Sequence, residues 1–310
     1  MFLSDKTVVN YLAGAILLTF PWLGGAWGTW GFIWEVLLLL AVFLVGRRRG
    51  VSLAAGLLLI GYVVPIVLGV AAFNQISLVP LAGLMGVLGW HKHWPVRRTF
   101  FWSAMFAAVL GALPTLSFMA QGFDAKTMSD MINMIVQQYQ AAGLLVLMQQ
   151  QGFSEVQIRD LLQQVIHFYA LITPGLAAMS AFVEFGLVFY VVRRWFKDDE
   201  GRIPFARWSL PWYAVWGAVL GIAFYLLGDQ FSWTVLRSVG INLMVVYGAL
   251  TLVLGTSLYL YLLQSPKIPR LLKLAIIIAS ILYFFFSVVS IMMFGLFDLV
   301  FNFRRLPEES

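Results

Sequence analysis

Long apolar runs dominate this chain. Stretches such as Leu37–Val45 and Leu274–Val289 carry no charge and show no polar–apolar alternation. With their flanks, runs of this kind reach about 20 residues, enough helix to cross a hydrocarbon core of about 30 Å. Lipid satisfies no backbone polar group, so a spanning segment must close its own hydrogen bonds as a helix or join a closed barrel. Barrel strands would appear as short alternating segments, which are absent. Composition bears on this at one point. Charged residues are 11% of the chain and hydrophobic residues 61%, too few polar groups to cover a water-facing surface. The mean hydropathy is +0.88. The expected fold class is all-α, a polytopic transmembrane helix bundle of about nine spans (8–10) with an amphipathic helical section between spans five and six.

The expected organisation has four parts: residues 1–118 as an N-terminal bundle of about five spans, 119–167 as a polar helical section outside the bilayer centre, 168–303 as a C-terminal bundle of about four spans, and 304–310 as a polar tail. Span one is read as retained rather than cleaved, because Gly24-Gly25-Ala26-Trp27 ends in a bulky aromatic. Span four, near Leu78–Trp90, is short enough to be re-entrant or buried by its neighbours. Span nine is placed at Leu271–Val300. In the polar section, Ser154 followed by Gln157 forms a capping box that opens a helix.

Basic residues mark the expected orientation. With a cytoplasmic N-terminus and nine spans, 15 of the 20 Lys and Arg fall inside and five outside: Lys126, Arg159, Arg237, Arg304 and Arg305. Arg304 and Arg305 are discordant. A span nine that does not cross would bring the C-terminal end inside. The net charge of +6 therefore reports membrane orientation, and no nucleic-acid partner is expected. The expected location is the inner (cytoplasmic) membrane, with the lipid bilayer as the first partner.

An ionisable group in a bilayer costs about 2.5–3.5 kcal/mol on insertion scales, and it usually faces a bundle interior or water. Glu184 is the deepest by sequence. It is a candidate substrate or cation ligand, or a proton carrier; otherwise it is a buried structural carboxyl. Asp298 is a second candidate for substrate binding or ion coupling, read chiefly as a structural group that either pairs with Arg304 and Arg305 or lies near the interface. Asn242 is read as interhelical glue ahead of ligand binding. Arg237 draws an anionic substrate or pairs with Asp229; otherwise it simply sits at the interface. Glu35 is read as an interfacial carboxylate. His91 and His93 form a His-x-His beside positive charge, which opposes a cation, and no metal site is assigned to them.

No Walker-type loop, His-Glu-x-x-His or Gly-x-Ser-x-Gly is present. With no cysteine, disulfides and thiolate chemistry are excluded. Neither catalysis nor a cofactor is expected.

In the second half, Ile172-Thr173-Pro174-Gly175 opens a span that ends in Arg193-Arg194. Ile203-Pro204-Phe205, Trp208, Leu210-Pro211-Trp212, Asn242-Leu243 and Gly255 follow. The series closes on Gly295-Leu296-Phe297-Asp298 and Phe303-Arg304-Arg305. In order and spacing, residues from Leu171 to Arg305 resemble the YybS-like family of predicted bacterial membrane proteins, which has no assigned function. The resemblance implies a distant relation to the substrate-binding subunits of energy-coupling-factor vitamin importers. It also draws attention to Gly295, Asp298 and Arg304, without giving them a task. The expected function is a small-molecule transporter or transporter-like substrate-binding subunit. The alternative is a membrane scaffold or regulator that binds a protein partner, or itself, through 119–167.

Overall fold

The computed structural model describes residues 14–26, 31–69, 76–116, 125–196, 204–266 and 268–304. The start of span one, Lys6, Trp27, Trp30, Asp124, Lys197, Arg202, Lys267, Arg305 and the terminal tail lie outside them. The regular elements among the described residues are all helices, with no strand among them. After a helical segment at 14–17 and a single turn at Leu23–Ala26 come α1 (Gly31–Arg49), α2 (Val51–Val67), α3 (Pro80–His91) and α4 (Val96–Ala112). Then follow α5 (Ala125–Ala141), α6 (Leu144–Gln150), α7 (Glu155–Trp195), α8 (Val215–Gln230), α9 (Thr234–Gln264), α10 (Arg270–Leu282) and α11 (Phe284–Phe301).

Local chemistry explains several boundaries. Pro80 opens α3 and Pro95 precedes α4, where a missing N–H costs nothing. The capping box of α7 is formed in both directions. Ser154 Oγ accepts the Gln157 N–H at 3.2 Å, and Gln157 Oε1 accepts the Ser154 N–H at 2.8 Å.

The organising element is α7. Its 41 residues extend about 60 Å at 1.5 Å per residue, twice the thickness of a hydrocarbon core. Its second half packs against α1, α3 and α4 on one side and α9 on the other. Two buried clusters result. One joins Phe43, Val87, Ala107, Phe185 and Val188; the other joins Ala108, Ala178, Ala218, Tyr247 and Leu250. The first half of α7 makes a separate cluster with α5 and α6, including Ile132, Val136, Leu145, Ile158 and Ile166. A bend of 86° separates α5 from α6.

The C-terminal helices approach closely. Gly255 of α9 lies against the Ile291 carbonyl and Gly295 of α11 against the Thr251 carbonyl, so a Cβ at either position meets backbone. Such small-residue contacts are the usual means of close packing between membrane helices.

The outer surface is strongly apolar. Phe285 is 85% exposed, Leu271 81% and Val67 77%. A water-soluble monomer rarely presents an apolar patch of this extent. Five helical segments are long and apolar enough to cross a bilayer: Val96–Thr115, Glu155–Trp195, Trp212–Gln230, Thr234–Gln264 and Phe284–Phe301. Counting the bent α5–α6 pair as one span raises the number to six. The expectation of nine spans is thus met only as an all-helical chain with five to six candidates. Several expected spans are too short or too charged to qualify. α3 has 12 residues, and α1 carries Glu35 and three terminal arginines. The expected single span nine is broken at Tyr283 (φ −108°, ψ 48°) into α10 and α11.

This break decides where the chain ends up. Gly295 packs between Thr251 and Gly255, while Arg304, further along, reaches Ser257. α11 therefore runs in the same direction as α9, and the two finish at the same end of the bundle. α1 and α7 also run together towards one end, where the Arg47 guanidinium lies 3.9 Å from the Trp90 ring centroid and 4.3 Å from that of Phe196.

Candidate functional site

Glu184 sits on the inward face of α7, one residue before the fully buried Phe185, and is only 8% exposed. Ser180, one turn earlier, donates its hydroxyl to Glu184 Oε1 at 2.7 Å. The second oxygen, Oε2, is buried and meets no donor among the described residues.

What faces it is another carboxyl. Glu35 projects from α1, partly buried, and its side chain lies within hydrogen-bonding reach of both Glu184 and Ser77. Ser77 is held in place from two directions. Its Oγ accepts the Val79 N–H at 3.3 Å, and its carbonyl accepts the Tyr62 hydroxyl of α2 at 3.1 Å. With its Oγ already accepting, the Ser77 hydroxyl proton is available to Glu35. Each carboxyl thus has one serine beside it, and the two carboxyls interact with each other. Two acceptors in contact repel unless a proton or cation lies between them.

The pair sits well inside the bundle. Glu35 precedes Arg47 by 12 residues of continuous helix, about 18 Å. Glu184 precedes Arg193 by nine, about 14 Å. The interfacial reading of Glu35 is therefore corrected. Its position near the start of α1 suggested a surface. The neighbours that cover it, α2, the Ser77 segment and α7, come from remote parts of the chain. Ser77 and Tyr62 carry no sequence signal that singles them out.

The other candidates lie elsewhere. Asn242 is on α9, where it faces the Pro174-Gly175 step of α7. Pro174 has no N–H to give. The next amide, Gly175 N–H, donates to Asn242 Oδ1 at 2.6 Å. Asn242 Nδ2 in turn donates to Leu171 O at 2.9 Å and to Ser238 O at 2.8 Å. Leu171 O is the acceptor that Gly175 N–H would use in an unbroken helix. The Asn242 amide is thus inserted into the hydrogen-bond ladder of α7.

Asp298 is 6% exposed and Arg304 5%. Arg304 Nε and Nη2 both donate to Asp298 Oδ2, at 2.9 and 2.6 Å. Arg304 Nη1 donates to Ala206 O at 2.9 Å and to Ser257 Oγ at 2.8 Å, and Nη2 to Trp208 O at 2.7 Å. This guanidinium ties the 204–208 segment, α9 and the end of α11 together. Arg237 is half exposed and pairs with Asp229 at 3.5 Å, far from the carboxyl pair in the fold. His91 Nδ1 is 3.0 Å from Val87 O. Among the described residues, no group of three or more His, Asp or Glu could hold a metal ion.

The chain belongs to the DUF2232 family of predicted membrane proteins, whose model matches residues 15–299. No curated protein and no solved structure matches it.

Proposed function

We propose that this DUF2232 protein is a small-molecule transporter, or the substrate-binding subunit of one, with Glu35 and Glu184 as its coupling site. One observation carries the reading: two carboxyl groups from helices remote in sequence meet inside an apolar bundle, and the deeper one has an oxygen with no donor among the described residues. Ionisable residues in such surroundings are costly, and they mark substrate paths, ion sites and proton relays. The YybS-like resemblance and the distant kinship to importer subunits belong to this proposal. So do a bacterial inner-membrane location and a cytoplasmic N-terminus.

The test is chemical. Small molecules that co-purify with the protein from its native membrane are identified by mass spectrometry, and their uptake is measured in proteoliposomes. Glu184→Gln is expected to fold normally and to lose coupled uptake at least tenfold. Unchanged uptake in that variant removes Glu184 from the mechanism.

A second reading rests on a different observation. Helices α5 and α6 and the first half of α7 have their own apolar cluster, beside exposed Val156, Leu161, Val165, Phe168 and Tyr169. A scaffold or regulator would bind a partner or a second copy there. Self-association that is lost on Val165→Asp, with uptake never detectable, favours this alternative.

A further inference from the structure

The nature of what lies between the two carboxyls can be argued from the oxygens around them. A hard metal cation takes about six to eight oxygen ligands, each pointing lone pairs inward. Here Ser180 turns its hydroxyl proton towards Glu184 Oε1. Ser77 Oγ is occupied by the Val79 N–H, and the Ser77 carbonyl by Tyr62. The hydroxyls are set to donate to carboxylates. Among the described residues, what remains is one Glu184 oxygen and the Glu35 carboxyl that interacts with it. Two interacting carboxyls accommodate a proton between them. A metal ion between them would need further ligands.

Among the described residues, the charged groups of the surrounding helices lie at the helix ends, away from the pair. α1 has Arg47, Arg48 and Arg49 at its far end, and α7 has Arg193 and Arg194 at its own. Arg97 and Arg98 lie at the start of α4, and His91 at the end of α3. On α2 the titratable residue is Tyr62, which bears on Glu35 and is hydrogen-bonded to Ser77 O.

We propose that Glu35 and Glu184 bind one exchangeable proton between them, held covalently by one carboxyl and hydrogen-bonded to the other. On release the O–H bond breaks and its electron pair stays on the carboxylate. The proton leaves through Glu35, the more exposed member, to water. The pair then carries one more negative charge. This rests on the reading of the pair as the coupling site and names the ion that it couples.

The experiment uses the full chain in nanodiscs of zwitterionic lipid and needs no substrate. Infrared difference spectra are recorded across a pH series in choline chloride and again in sodium chloride. A protonated-carboxyl band with one midpoint is expected, unmoved by sodium. Glu35→Gln and Glu184→Gln should each replace it with a different transition, and the double variant should abolish it. Ser180→Ala, which removes only a donor, should shift the midpoint while keeping the transition. An identical titration in the double variant overturns the proposal. So does a midpoint that moves about one pH unit per tenfold change in sodium. If the glutamine variants do not fold, an unmoved midpoint in Ser180→Ala overturns it instead. A titrating pair without proton-coupled uptake sinks the transport reading alone. Uptake without a titrating pair sinks this inference alone.

Discussion

At the residue scale, Arg304 and Asn242 show how a polar side chain is made compatible with an apolar interior. Arg304 gives its donors to a carboxylate, a hydroxyl and two backbone carbonyls. Removing it leaves Asp298 buried and unpaired, and breaking a buried pair from one side costs about 3–5 kcal/mol. Arg304→Met should therefore destabilise the protein strongly in a detergent unfolding titration. Asp298→Asn together with Arg304→Met should recover much of that loss. Equal destabilisation by the single and double variants would show that the pairing is not the cause. Asn242→Ala should cost about 0.6–2 kcal/mol and speed hydrogen exchange at the Gly175 amide, which loses its acceptor. An unaltered exchange rate there would contradict the insertion of Asn242 into the α7 ladder.

At the element scale, α7 is the member whose integrity the rest requires. Its start was legible from Ser154 and Gln157, because a capping box is local chemistry. Ser154→Ala should lower stability by about 1 kcal/mol, read as an earlier melting of the α5–α6–α7 cluster. The meeting of α9 and α11 depends on glycine. Gly255→Leu should separate the two helices and release Arg304 from Ser257, seen as protease sensitivity in the 204–208 segment. A variant as resistant as the parent would mean that this crossing is dispensable. The break at Tyr283 had no such local signal. Leu274–Val289 carries no charge, glycine or proline, and nothing in it prescribes where a helix should stop.

At the scale of the whole molecule, the shared direction of α9 and α11 gives a test of topology. The chain has no cysteine, so single cysteines report cleanly. Ser265→Cys and Asn302→Cys should react with an impermeant reagent from the same side of the membrane. Gln150→Cys, at the end of α6 just before α7 begins, should react from the other. Labelling of positions 265 and 302 from opposite sides would refute the packing of α11 along α9. Arg304, counted as an outer charge on nine full spans, lies buried in the fold, bonded to Trp208 O beside Arg207. Charge counting assigns sides to loops, and it fails where a helix pair turns back.

The residues alone determined that this chain lives in lipid as helices, because apolar runs of that length have no other way to satisfy their backbone. They also marked Glu184, since a carboxyl amid apolar neighbours stands out in any window. They could not mark Glu35. Its own neighbours suggest an interface, and its depth comes from α2, Ser77 and α7 closing over it. Only the tertiary structure brought the two carboxyls together, because a contact between helices far apart in sequence leaves no trace in either local pattern.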